Sequence, residues 1–101
     1  MTFVEDRVPM ARTLESLDLG TPVYCGEVQV ADVRARYAEG SARSVEMLVV
    51  HWGSRGDVAL PAAEIESVNE RGVILMHADP NFYVDLAEFN EAKYPTLHKL
   101  P

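Results

Sequence analysis

Apolar residues crowd most densely in SVEMLVVHW, residues 44–52. Read as a strand, this stretch sets Val45, Met47, Val49 and His51 on one side and Glu46, Leu48, Val50 and Trp52 on the other. Both sides carry large apolar groups in their later half, which predicts a strand buried on both faces at the centre of the fold. Shorter apolar runs surround it. TPVYC, residues 21–25, predicts a strand opened by Pro22, and Cys25-Gly26 a tight connection. In EVQVADVRARY, residues 27–37, Val28 and Val30 share one parity while Val33, Ala35 and Tyr37 share the other. Such a change of phase predicts a β-bulge around Ala31-Asp32, with Val30 and Val33 both facing the interior. Residues 57–60, 64–68 and 73–78 complete the predicted strands. Turns are expected at AEGSAR, GSRG and NERG, and a single helical turn at Pro61-Ala62-Ala63. The buried set is expected to hold Val28, Val30, Val33, Val49, Val58, Leu60, Val73 and Leu75. Short, closely spaced strands joined by glycine-containing turns argue for an all-β barrel or sandwich.

The two ends read differently. Met10, Leu14 and Leu17 have helical spacing between Pro9 and Gly20, so residues 1–19 are either a short helix or an arm carrying Leu17 and Leu19 to the core. The first few residues are expected to be mobile. At the other end, Asp79-Pro80-Asn81 has the form of a helix start. Phe82, Leu86 and Phe89 follow at i, i+4 and i+7, with Asp85, Glu88 and Glu91 mostly off that face and Tyr94-Pro95 as the stop. The division expected is an arm over residues 1–16, a β-barrel over 17–78 and a helical tail over 79–101, all in one domain.

Composition narrows the partners. A chain of 101 residues, 48% apolar and 25% charged, is an ordinary globular domain. Nine Lys and Arg against 16 Asp and Glu give a net charge of −7, which repels phosphate backbones, so no nucleic-acid partner is expected. Arg34, Arg36 and Arg43 cluster in sequence but lack an accompanying nucleic-acid motif and read as a solvated strand edge. The single cysteine, Cys25, forms no intramolecular disulfide and fits a reducing compartment. MTFVEDRVPM has early acidic residues and no apolar core of a signal peptide, and no run approaches the roughly 18 apolar residues of a membrane span. A cytoplasmic protein without membrane insertion is expected.

Chemical motifs are sparse. His51, His77 and His98 form no metal-ligand pattern, so no metal, cofactor or catalytic residue is expected. Cys25 reads as a small buried residue in the absence of a paired base. Gly53-Ser54-Arg55-Gly56 is followed by no Lys-Ser/Thr and no helix, and reads as a hairpin turn. Trp52 reads as barrel-end packing or a binding anchor. The tail carboxylates lack the spacing of a calcium loop.

The succession Gly20-Thr-Pro-Val-Tyr24, Gly26-Glu-Val28, the strand with Val49 and Val50, Val58-Ala-Leu-Pro61 and Gly72-Val-Ile-Leu75 resembles the PRC-barrel domain. This is the small β-barrel of the photosynthetic reaction centre H subunit and the ribosome maturation factor RimM. The resemblance spans Leu17 to Ala78 and implies a small open β-barrel of about six short strands, here with a C-terminal helix. The chain departs from it at Cys25-Gly26, where family members often carry an Asp-Gly-type turn. The family has no shared catalytic residues, so the resemblance implies a non-enzymatic protein-interaction module, an adaptor or assembly subunit with a protein partner. The other reading is a small-molecule-binding barrel whose pocket, at the barrel mouth or a dimer cleft, is lined by Tyr37, His51 and Trp52. An apolar helix face at Phe82, Leu86 and Phe89 must dock on something: its own barrel in a monomer, or a second copy. A two-fold homodimer with that face, or an adjoining strand edge, at the interface is the expectation.

Overall fold

The computed structural model describes residues 14–40 and 44–101. Among these residues seven strands form one sheet: β1 (Pro22–Cys25), β2 (Val28–Glu39), β3 (Val45–His51), β4 (Asp57–Pro61), β5 (Ile65–Asn69), β6 (Gly72–Leu75) and β7 (Leu97–Lys99). They lie in the order β4-β3-β2-β1-β6-β5, with β7 also on β2. The β1–β6 pair is parallel and the others are antiparallel, so the all-β reading holds and the sheet is mixed.

The central strand is where the pattern placed it. Val45, Leu48 and Val50 join Val23, Val33, Val58, Leu60, Val73 and Leu75 in the larger apolar cluster. Met47 and Val49 join Ala35, Tyr37 and Ala59 in the smaller one. β3 is therefore buried on both faces, as its two-sided apolar pattern requires.

The phase change in β2 takes two bulges rather than one at Ala31-Asp32. Against β1, Val23 pairs with Ala31 and Tyr24 with Gln29, leaving Val30 as the extra residue. Against β3, Val33 pairs with Val50 and Ala35 with Val49, leaving Arg34 extra. Each bulge shifts the side-chain phase by one, so Val30 packs on the same cluster as Val33 while Ala35 and Tyr37 turn to the other face. Val28 departs from the expected buried set: it is 58% exposed. It ends the β1–β2 hairpin opposite Cys25, and the core lies back along the strand.

The sheet does not close. Its end strands β4 and β5 do not pair, so in place of the expected barrel there is an unclosed sheet. The tail occupies the place a closing strand would take. The Ala59 N–H donates to the Ala87 carbonyl at 3.0 Å, the Phe89 N–H donates to the Asp57 carbonyl at 2.9 Å, and Val58 faces Glu88. From there the chain crosses the smaller cluster and ends as β7 on β2, with Tyr37 opposite Lys99 and Glu39 opposite Leu97. The tail is thus a strap joining β4 to β2 across one face of the sheet.

The C-terminal helix is the second correction. The tail forms two short 3-10 turns, Pro80–Tyr83 and Glu91–Lys93, and is otherwise extended or irregular. Side chains cap both turns: Asp79 Oδ1 accepts from the Asn81 N–H at 3.0 Å and Asn90 Oδ1 from the Ala92 N–H at 3.1 Å. An α-helix would direct the Tyr83, Val84 and Leu86 carbonyls to amides four residues on. Arg55 takes them instead, at 2.9, 3.4 and 3.0 Å. The expected apolar face is accordingly split. Phe82 is 63% exposed. Leu86 packs on the larger cluster and Phe89 on the smaller.

At the other end, Leu14–Ser16 is a 3-10 turn and Leu17 reaches the core, whereas Leu19 stays exposed. The start of the expected N-terminal helix, the mobile first residues and the turn at 41–43 with Arg43 lie outside the described residues. Ala62–Glu64 is the single helical turn expected after Pro61. Gly72, at φ +137°, opens β6, where a Cβ would run into the Pro22 carbonyl across the parallel pair. Among the described residues no helix is long and apolar enough to cross a membrane.

Candidate functional site

Among the described residues, two places stand out for gathering side chains that could bind something. The first lies under the strap. Where the tail leaves β4 and runs toward β7, it stands off the sheet and leaves a groove of about 430 Å³. Met47 and Ala59 line it from the sheet, and Leu86, Ala87, Tyr94 and Leu97 from the tail. Glu39, at the end of β2, Glu46 on β3 and Asp85 on the strap add three carboxylates. Glu46 sits at the β3 bulge, where Tyr37 pairs with Met47 and Ala38 with Val45. Among the described residues, the lining holds no lysine, arginine or histidine. Among the described residues, the three carboxylates have no ion-pair partner.

The second place is an aromatic corner at the start of the tail. Tyr83 is 2% exposed, and its hydroxyl accepts the His77 N–H at 3.0 Å. The Trp52 ring lies 5.9 Å from it, and the Arg55 guanidinium lies 5.2 Å from the Trp52 ring centre. Arg55 thereby stacks on Trp52 while holding three tail carbonyls. The His77 ring stacks on Phe82, centroids 4.0 Å apart and planes within 7°. Burial pushes the Tyr83 phenol above its ordinary range, opposed in part by the His77 N–H bond. A phenol held neutral in this way packs and accepts a hydrogen bond.

Tyr37, His51 and Trp52 fall in three different surroundings. Tyr37 stands opposite Met47 and is buried in the smaller cluster, 5.3 Å from the Phe89 ring. Burial, then the charge of Glu91, raises its phenol. His51 is four positions along β3, opposite Asp32 and Asp57, with its Nδ1 3.0 Å from Asp57 Oδ1. Trp52 belongs to the aromatic corner. None of the three lines the groove.

Of Phe82, Leu86 and Phe89, only Leu86 reaches the groove; Phe82 is in the aromatic corner and Phe89 packs between Tyr37 and Tyr94. Cys25 is buried, and its thiol is raised by desolvation and then by the charge of Asp79, which suits packing and not nucleophilic attack.

Arg34 and Arg36, the described members of the arginine cluster, are both engaged. Arg34 pairs with Asp32 at 3.1 Å, and Arg36 donates to the carbonyls of Glu15 and Pro101, tying the two ends of the described chain together.

The residues that build these places and that the pattern did not single out are Arg55, Tyr83, Tyr94, Glu39 and Glu46. Tyr83 neighbours Phe82 but falls off the helical face drawn through Leu86 and Phe89, so a helix reading turns it to solvent. Arg55 sits in a turn, where nothing local reports that its guanidinium reaches a segment 28 residues away.

Compared with protein-family models, with curated proteins and with solved structures, the chain matches none.

Proposed function

We propose that the protein is a non-enzymatic interaction module of PRC-barrel-like character, an adaptor or assembly subunit that pairs with a second copy of itself. One observation carries the reading. Met76, Phe82 and Val84, large apolar side chains around the start of the tail, are 54%, 63% and 61% exposed. Met76 follows β6, and its N–H donates to the Glu64 carbonyl just ahead of β5, so this apolar surface adjoins the sheet's open end. Among the described residues the outer edge of β5 has no strand beyond it, and an uncovered edge beside apolar side chains favours pairing. The order of motifs from Gly20 to Leu75 and the sheet of mostly short strands, with two bulges in β2, support the PRC-barrel likeness. The single cysteine supports a cytoplasmic setting, and the net charge of −7 argues against a nucleic-acid partner.

Light scattering at micromolar concentration tests the proposal. A dimer mass is expected, and Phe82→Glu with Met76→Lys is expected to yield folded monomers, since both side chains are exposed and their replacement leaves the core intact. A monomer mass for the unaltered chain ends the self-association proposal. A dimer indifferent to both substitutions removes this surface from it.

A further inference from the structure

We propose that the groove under the strap binds a small organic cation: an ammonium group carried on a flat apolar body. This goes beyond the interaction-module reading and uses a different part of the molecule.

Shape comes first. At about 430 Å³ the groove lies within the range of small-molecule sites, roughly 300–1,000 Å³. Met47, Ala59, Leu86 and Leu97 supply an apolar lining, and Tyr94 adds an aromatic ring braced by Phe89, with centroids 6.0 Å apart and planes within 7°. A ring held by a stacked neighbour offers a pre-formed surface for a flat apolar body or for a cation.

Charge selects the ligand's sign. Glu39 and Glu46 come from the sheet and Asp85 from the strap, so carboxylates stand on both walls, with no cationic side chain among the described residues of the lining. An anionic ligand meets three like charges, and a neutral one gains nothing from them. An ammonium group is complementary to both walls.

The occupant is small because the backbone route is closed. On the outer edge of β4 the Asp57 carbonyl and the Ala59 N–H are already bonded to Phe89 and Ala87, so a peptide finds no run of free edge groups to pair with. What stays accessible is side-chain surface.

Tryptamine, its neutral isostere tryptophol and its anionic relative indole-3-acetate test the assignment against the intact chain, with amide NMR shifts as the readout. Tryptamine is expected to give saturable shifts at Met47, Ala59, Leu86, Tyr94 and Leu97, and to bind about tenfold more tightly than tryptophol, with no saturation by indole-3-acetate. Glu46→Gln with Asp85→Asn exchanges two exposed carboxylates for isosteric amides and is expected to weaken tryptamine about fivefold at an unchanged melting temperature. Three results overturn the proposal. One is equal binding of tryptamine and tryptophol. Another is shifts scattered over the acidic surface, the behaviour of a chain with net charge −7 and no site. The third is saturation by a lysine-containing peptide without any by tryptamine, which assigns the groove to a protein partner. Light scattering during the titration keeps this outcome separate from the fate of the dimer.

Discussion

The guanidinium of Arg55 donates to the main-chain carbonyl of Tyr83 at 2.9 Å, across 28 residues of sequence. The same side chain reaches the Leu86 carbonyl at 3.0 Å and rests on Trp52. A cation in a turn thus holds the start of the tail in a shape that leaves Ala87 and Phe89 aligned with the edge of β4. Charge-assisted bonds of this kind are stronger than those between neutral groups.

Arg55→Ala is expected to lower stability by about 2 kcal/mol, because two good carbonyl partners and the Trp52 stack are lost together. Arg55→Lys should recover only part of that loss, since an ammonium cannot spread its donors over three carbonyls. Denaturant unfolding measures the difference. Hydrogen exchange should quicken first at the amides of Ala59 and Phe89, which secure the strap to β4. An unchanged exchange rate there places the anchor of the tail elsewhere.

Gly72→Ala tests the parallel pairing of β1 and β6. At φ +137° a side chain is strained, and its Cβ meets backbone rather than a yielding side chain, namely the Pro22 carbonyl. A loss of about 2 kcal/mol or more is expected. Gly40→Ala is the comparison: its φ is +55°, but nothing lies within 4 Å of the added Cβ, so it should cost less. Equal melting temperatures for the two variants contradict the close approach of Gly72 to Pro22.

The alkaline side of the stability profile follows from three raised groups. Cys25 is raised from an ordinary 9.0, chiefly by burial, and Tyr37 and Tyr83 from 10.0, again chiefly by burial. Each keeps its proton in the folded chain to a higher pH than in the unfolded one. Their stabilising contribution is therefore complete below the unfolded values and is lost as pH rises through the folded ones. The unfolding midpoint is expected to fall as pH rises above about 9 and to steepen above about 10. Tyr83→Phe removes one group from that slope. It also leaves the His77 N–H without the hydroxyl it donates to, a loss of about 1 kcal/mol near neutral pH. A profile equally steep in the variant removes Tyr83 from the account.

Much of the sheet was legible in the chain itself. Residues 44–52 alternate with large apolar groups on both sides, and no arrangement buries such a strand except one with neighbours above and below it. That single inference places Leu48 and Val50 in one cluster and Met47 and Val49 in the other. The change of parity between Val30 and Val33 announced an irregular strand for the same local reason: side chains on a strand alternate, and a break in alternation needs an extra residue. What the pattern misplaced was the position of the extra residues, set at Ala31-Asp32. Each bulge is defined by a partner strand, so Val30 answers to β1 and Arg34 to β3.

The tail shows what only the tertiary structure decided. Phe82, Leu86 and Phe89 have helical spacing, and a short segment with that spacing has no strong backbone preference of its own in water. Its hydrogen bonds go to whichever partners the rest of the molecule presents. Here those partners are the Arg55 guanidinium and the unpaired edge of β4, both far away in sequence, and they draw the segment out of a helix. The groove has the same origin: Glu46 and Asp85 stand 39 positions apart in the chain and share a wall-to-wall space only because the strap crosses the sheet. Periodicity reports which side chains avoid water. It carries no record of which distant backbone groups are left to pair, and in this protein that pairing shaped the tail and the site beneath it.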